Sequence, residues 1–144
     1  MGTIFSAYDI RGRVGQTMTV EYAWTVGKAF AEWLNDEDEI VIVKSADADE
    51  SIVHALTEGL LLQGRDVIDA SEGDQQKVTE VIRDSRAAGG VVITHDTLQD
   101  IAIITLFDAQ GVVVSADRGL ETIEQMIDAG NFVPASKKGE VKTV

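Results

Sequence analysis

Apolar positions along the chain recur with helical spacing in some stretches and as short unbroken runs in others. After Thr19, an N-cap residue type, apolar or small residues stand at Val20, Ala23, Trp24, Gly27, Phe30, Ala31 and Leu34. That is the i, i+3, i+4, i+7 spacing of one buried stripe, so a first helix is expected. The acidic loop Asn35 to Glu39 ends it, and Ile40-Val41-Ile42-Val43 follows. Four β-branched residues in a row suit a central strand covered on both faces. A second helix is expected from Asp49 or Ser51, with Ile52, Val53, Leu56, Gly59 and Leu60 inward and Gly64 as its stop. Asp66 to Ala70 reads as the second strand. Asp74 caps a third helix with Val78, Val81 and Ile82 inward, ended by Gly89-Gly90, and Val91 to Thr94 reads as the third strand.

Ile101 to Phe107 reads as a fourth strand. Six or seven residues separate it from the third, too few for a crossover helix, so it is expected to run antiparallel. Asp108 to Gly111 is a turn and Val112 to Val114 a short return strand. Asp117 then caps a last helix carrying Leu120, Ile123 and Ile127, with Gly130 at its end. From about residue 133 the tail, with the only proline, Pro134, turns polar and is expected to be loose. The alternation implies an α/β chain, a three-layer α/β/α sandwich around a mostly parallel sheet. In such sheets ligands bind beyond the C-terminal strand ends, which directs attention to the loops after Val43, Ala70 and Ile93.

At 144 residues the chain is expected to form a single domain spanning 1–144. With no cysteine, disulfides, thiolate metal sites and thiol catalysis are excluded. Twelve Lys and Arg against 25 Asp and Glu give a net charge of −13, which disfavours phosphate backbones and anionic membrane surfaces. Neither nucleic acid nor membrane is therefore expected as a partner. The start MGTIFSAYDIRG has no basic segment followed by an apolar run, so the expected location is cytoplasmic.

Two loops carry candidate chemistry. In Lys44 to Ser51, Asp47, Asp49 and Glu50 suggest a hard cation, but EF-hand spacing is lacking. The same acids suit a solvated loop at a helix N-terminus, and no metal site is expected. In Thr94-His95-Asp96-Thr97-Leu98-Gln99-Asp100, a histidine beside an aspartate and two threonines could be a general base with a hydroxyl nucleophile. It could equally be a polar turn between antiparallel strands. His54 lies one position off its helix's apolar stripe and reads as a surface residue. Trp24 and Trp33 read as core and boundary residues. No phosphate-binding glycine loop follows a strand.

The segment Ala7-Tyr8-Asp9-Ile10-Arg11-Gly12, with a helix opening at Thr19, resembles the start of the phosphoglucomutase/phosphomannomutase family. Gly64-Arg65-Asp66-Val67-Ile68-Asp69, Ala88-Gly89-Gly90-Val91-Val92-Ile93-Thr94 and Leu106-Phe107-Asp108-Ala109-Gln110-Gly111 continue the resemblance in order, and Phe132 to Val144 resembles the exit from the family's first domain. The resemblance covers only that domain of four. It implies a mixed four-stranded sheet in the order 2-1-3-4 with strand 4 antiparallel, plus the short extra strand. It also implies hexose 1- and 6-phosphate interconversion through a phosphoserine. The magnesium site, the sugar-specificity loop and a phosphate loop would lie in other domains, so no cofactor is expected within this chain.

The resemblance breaks where that chemistry should be. The family's serine loop reads T-A-S-H-N-P, whereas Thr94-His95-Asp96-Thr97-Leu98-Gln99 stands here. The serine position falls on Asp96 or His95, depending on the direction of alignment. A carboxylate there is negative but carries no transferable phosphoryl group. The family's G-R-D-T-R motif is replaced by Lys44-Ser45-Ala46-Asp47-Ala48, which removes both phosphate-gripping arginines. Tyr8 and Arg11, which by resemblance face the serine loop and bind phosphate, remain.

A noncatalytic relative working as a binding, regulatory or interaction module is the leading expectation, with a phosphosugar or a protein as its partner. The alternative is the first domain of a phosphohexose mutase completed by another chain or a longer product, with Thr94 or Thr97 as substitute acceptor. An unrelated receiver-like or flavodoxin-like domain is disfavoured by the antiparallel fourth strand. Ile101 to Phe107 is expected near a sheet edge, and the family's domain one packs on domain two. A solitary copy is therefore expected to form a homodimer.

Overall fold

Side-chain oxygens open three of the four helices of the computed structural model, which describes residues 5–34 and 37–143. Thr19 Oγ1 accepts from Tyr22 N to start α1 (Val20–Trp33), Asp49 caps α2 (Glu50–Leu62), and Asp74 caps α3 (Gln75–Ser85). The strands are β1 (Ile10–Arg13), β2 (Ile40–Lys44), β3 (Val67–Glu72), β4 (Gly89–Asp96), β5 (Ile101–Phe107) and β6 (Val141–Thr143); α4 is Leu120–Ala129. Of the acidic loop after α1, Asn35 and Asp36 lie outside the described residues, as do Met1–Ile4 and Val144.

One six-stranded sheet runs in the order β1-β5-β4-β2-β3-β6, and its centre, β3-β2-β4-β5, is the expected 2-1-3-4 order. β2 pairs in parallel with β3 and β4, and β5 is antiparallel to β4. One face packs Ile42, Val91, Ile93 and Ile104 against α1, α2 and α4; the other packs Val41, Val43, Ile68 and Val92 against α3. This is a three-layer α/β/α sandwich. Arg65 is buried and donates to Ala31 O and Asp38 O, both at 2.8 Å, tying the end of α1 to the approach to β2. No helix among the described residues is long and apolar enough to cross a membrane.

Several expectations need correcting. β5 is not at an edge, because β1 pairs with it antiparallel from Ile10↔Ile104 to Arg13↔Ile101. Only half of β1 is apolar, so its sequence carries a weak strand signal. Val112 to Val114 does not form a strand: Phe107↔Val113 is an isolated bridge, and Asp108 N bonds Val112 O across a tight turn. The tail is not loose. Ala135 N and Gly139 N donate to Leu62 O and Leu61 O, and β6 joins β3 in parallel. Backbone groups do this work, so a polar sequence conceals it.

Gly89 and Gly90 open β4 instead of ending α3, which stops at Arg86 in the left-handed conformation. A Cβ on Gly90 would lie 2.7 Å from Val78 Cγ2, so the glycine is there to let α3 sit close. Asp117 does not cap α4; it lies in the short turn Ala116–Arg118, and Gly119 precedes the helix. Val20, at the first helical position, is exposed rather than in the core, while Val81 is half-buried and packs against the α3-face core.

Candidate functional site

The C-terminal ends of β2 and β4, the β4–β5 turn and the segment before β1 gather the candidate residues. Thr94, His95 and Asp96 are strand, not loop: β4 continues to Asp96, which pairs with Ile101. Only Thr97 to Asp100 make the turn, so the expected active-site loop is a short hairpin connection. The Asp96 side chain closes it by accepting from Leu98 N at 3.1 Å and Gln99 N at 3.3 Å.

Strand alternation separates the neighbouring histidine and aspartate. His95 points to the α1/α2 face with Ile93, while Thr94 and Asp96 point to the opposite face. His95 therefore finds its carboxylate elsewhere: Nε2 lies 2.9 Å from Asp100 Oδ1. Its side chain is 9% exposed and Nδ1 is buried with no hydrogen-bond partner among the described residues. Asp100 holds a positive φ of 58°, which aspartate tolerates better than most residues. Sequence reasoning did not single out Asp100 as that partner, because the pairing depends on hairpin register. Thr97 is exposed at the turn.

β1 brings Arg11 onto the Thr94 face. Arg11 pairs with Ile103 and Ile103 with Thr94, so the arginine and the threonine lie two strands apart in one row. Its guanidinium is already engaged: Nε donates to Asp9 Oδ1 at 3.0 Å and Nη2 to Asp9 Oδ2 at 2.8 Å. That hydrogen bond holds the Arg11 pKa above its ordinary value, with the charge of Asp96 adding to it. Burial pushes the Asp9 carboxyl up, but its bonds from Arg11 and Ser6 outweigh burial and leave it below the ordinary range. Tyr8 is 66% exposed. His54 is exposed, and Trp24 and Trp33 are half-buried against the core.

The acids after β2 are committed to local partners. Lys44 Nζ lies 2.8 Å from Glu50 Oε2, and Ser45 Oγ donates to Asp47 Oδ1 at 2.6 Å. Asp49 accepts from Ser51 N at 3.0 Å and Ile52 N at 3.3 Å. Among the described residues no three histidine or carboxylate side chains are grouped to hold a metal ion. A cavity of about 440 Å³ lies at the far end of the sheet, lined by residues that include Ile82, Arg86 and Gln110.

Residues 2–134 match the family model described as phosphoglucomutase/phosphomannomutase, alpha/beta/alpha domain I. A phosphomannomutase of Salmonella typhimurium is 28% identical over 137 residues, covering 94% of this chain and 30% of the relative. A probable phosphoglucosamine mutase of Pyrococcus horikoshii is 31% identical over 147 residues, covering 99% of this chain and 32% of the relative. The crystal structure of a phosphoglucomutase/phosphomannomutase family protein from Burkholderia thailandensis superposes with a TM-score of 0.82 at 23% identity, over 97% of this chain and 32% of that one. The chain thus spans about a third of the length of the relatives it matches. With the model match over residues 2–134, this chain belongs to the phosphoglucomutase/phosphomannomutase family, and what it represents is the alpha/beta/alpha domain I.

Proposed function

We propose that this domain I homologue is noncatalytic and serves in the cytoplasm as a binding or regulatory module, with Tyr8 and Arg11 as its remaining phosphate-facing residues. The observation that carries the reading is the hairpin at Asp96. Where the resemblance places the phosphorylated serine, the backbone is strand closed by a turn of four residues, Thr97 to Asp100. Neither residue onto which that serine aligns bears a hydroxyl, and the two point to opposite sheet faces. Phosphoryl transfer relies on positioning and charge neutralisation, and Arg11, the arginine the resemblance assigns to phosphate, is held by Asp9. On this reading the chain itself holds no metal or other cofactor.

The names of the relatives favour a second reading, in which this is the first domain of a working phosphohexose mutase completed by further domains. A coupled mutase assay with magnesium and a hexose bisphosphate separates the two. The chain alone is expected to match the no-protein blank, whereas metal-dependent turnover overturns the noncatalytic reading. A hexose 1-phosphate titration followed by NMR, with Tyr8 and Arg11 as reporters, tests the binding role.

A further inference from the structure

The two faces of the sheet are covered unequally. On the α3 face, the helix packs on β2, on the Gly90 end of β4 and on the Phe107 end of β5, while β1 and the Ile101–Ile103 end of β5 carry no helix among the described residues. Two cross-strand rows lie bare there. Arg13, Ile101 and Asp96 form one; Arg11, Ile103 and Thr94 form the other. The isoleucines, Thr94 and Asp96 are only half-buried and both arginines are exposed. Arg13 makes no ion pair or side-chain hydrogen bond among the described residues. Asp96 uses one oxygen on the turn and leaves the other open.

The first row reads positive, apolar, negative from β1 through β5 to β4. A two-fold axis lying along β5, in the plane between two facing copies, carries β1 of one copy over β4 of the other and leaves each row at its own level. Arg13 of each copy then stands over Asp96 of its mate, Ile101 over Ile101 and Ile103 over Ile103. Two sheets packed about 10 Å apart bring such side chains into contact. The strip is thus self-complementary, which is what an isologous interface requires.

We propose that this bare strip is a homodimerisation face, its register set by reciprocal Arg13–Asp96 pairs around an isoleucine seam. The face takes in Arg11 and Thr94, so dimerisation and a phosphate ligand at Arg11 compete for the same surface. Three strands and three residues of length give a patch only about 14 by 10 Å in plan, so the dimer is weak and concentration-dependent. The net charge of −13 opposes it at low ionic strength, and physiological salt screens that repulsion beyond about 8 Å.

Sedimentation equilibrium from about 10 μM to about 1 mM in physiological salt tests the face. The mass is expected to rise from 15.5 kDa toward twice that value. R13D places two aspartates in each pair and is expected to raise the dissociation constant at least about tenfold. D96R places two arginines there and is expected to do the same, whereas an equimolar mixture of R13D and D96R restores both pairs as a heterodimer. If D96R does not fold, I103K interrupts the seam instead and is expected to leave a monomer. A mass fixed at the monomer value throughout overturns the proposal and leaves the face to a different polypeptide. So does a dimer that R13D leaves intact, or a mixture of folded R13D and D96R that stays monomeric.

Discussion

Gly27 of α1 and Gly59 of α2 sit in reciprocal notches of the helix pair: a Cβ on Gly27 would lie 2.2 Å from Leu56 O, and one on Gly59 2.1 Å from Trp24 O. Each helix therefore rests directly on the backbone of the other. Alanine is favoured over glycine in a helix by about 1 kcal/mol, so the bare propensity argument makes either replacement stabilising. Packing reverses the sign. The obstacles are backbone carbonyls that cannot rotate aside, and parting the helices opens the core around Phe30 and Leu56. Gly27→Ala and Gly59→Ala are each expected to lose about 2 kcal/mol or more in urea unfolding. An alanine variant as stable as the parent would show that the helices are further apart.

Arg86 offers the opposite case. It ends α3 at a positive φ of 57°, where a side chain is strained by about 1–2 kcal/mol and glycine is not. Its Cβ is a liability at this position. Arg86→Gly is expected to raise stability by about 0.5–1 kcal/mol, the remaining gain being lost to the freer unfolded chain. Thermal unfolding that shows a lower melting temperature contradicts the left-handed cap.

Some of this was legible in the sequence and some was not, for physical reasons. Thr19, Asp49 and Asp74 announce helix starts because an oxygen-bearing side chain immediately before a periodic stripe has a definite job there. Ile40 to Val43 announces a central strand because four β-branched residues have few other homes. β1 and β6 stay hidden, since their places depend on backbone hydrogen bonds to β5 and β3 more than on their own side chains. Gly89 and Gly90 read as a break because glycine signals both turns and close approach, and only the position of α3 decides between them. The site suffers from the same ambiguity. Thr94 to Asp96 look like loop because polar residues at the open end of a strand lose the apolar pattern, and the His95–Asp100 contact appears only once the hairpin register is known.

Asp49 links the α2 cap to acid sensitivity. The bond from the Ser51 hydroxyl, then the amides of Ile52 and Ser51 and the charge of His95, hold its carboxyl below the ordinary range against the opposing effect of burial. A carboxyl with a depressed folded pKa contributes stability above its unfolded pKa of about 3.9 and loses that contribution as pH falls through the folded value. Asparagine caps about as well as aspartate but does not titrate. Asp49→Asn is therefore expected to match the parent near pH 7 and to show a shallower loss of stability below about pH 4, while Asp49→Ala loses about 1 kcal/mol at pH 7. Urea titrations at several pH values check both, and parallel acid limbs for parent and Asn variant would disprove the assignment.

The β4–β5 hairpin is expected to refuse a phosphoryl group even when offered one. An acceptor hydroxyl needs a base within hydrogen-bond reach and cations to steady the incoming phosphate. Thr94 has neither: His95 beside it faces the other side of the sheet with Nε2 on Asp100, and Arg11, two strands away, is bound to Asp9 through two hydrogen bonds. Thr97 is free to approach a ligand, yet its turn is flanked by the carboxylates of Asp96 and Asp100 in a chain of net charge −13. Charge repulsion there opposes a phosphate donor, and the family's gripping arginines are not present to offset it. Intact mass after incubation with magnesium and glucose 1,6-bisphosphate is expected to be unchanged. Asp96→Ser, which returns a hydroxyl to one alignment of the serine position, is expected to remain unmodified as well, because it supplies no base and no second arginine. One added phosphoryl group localised to Thr94 or Thr97 would reverse this conclusion and return the domain to the mutase reading.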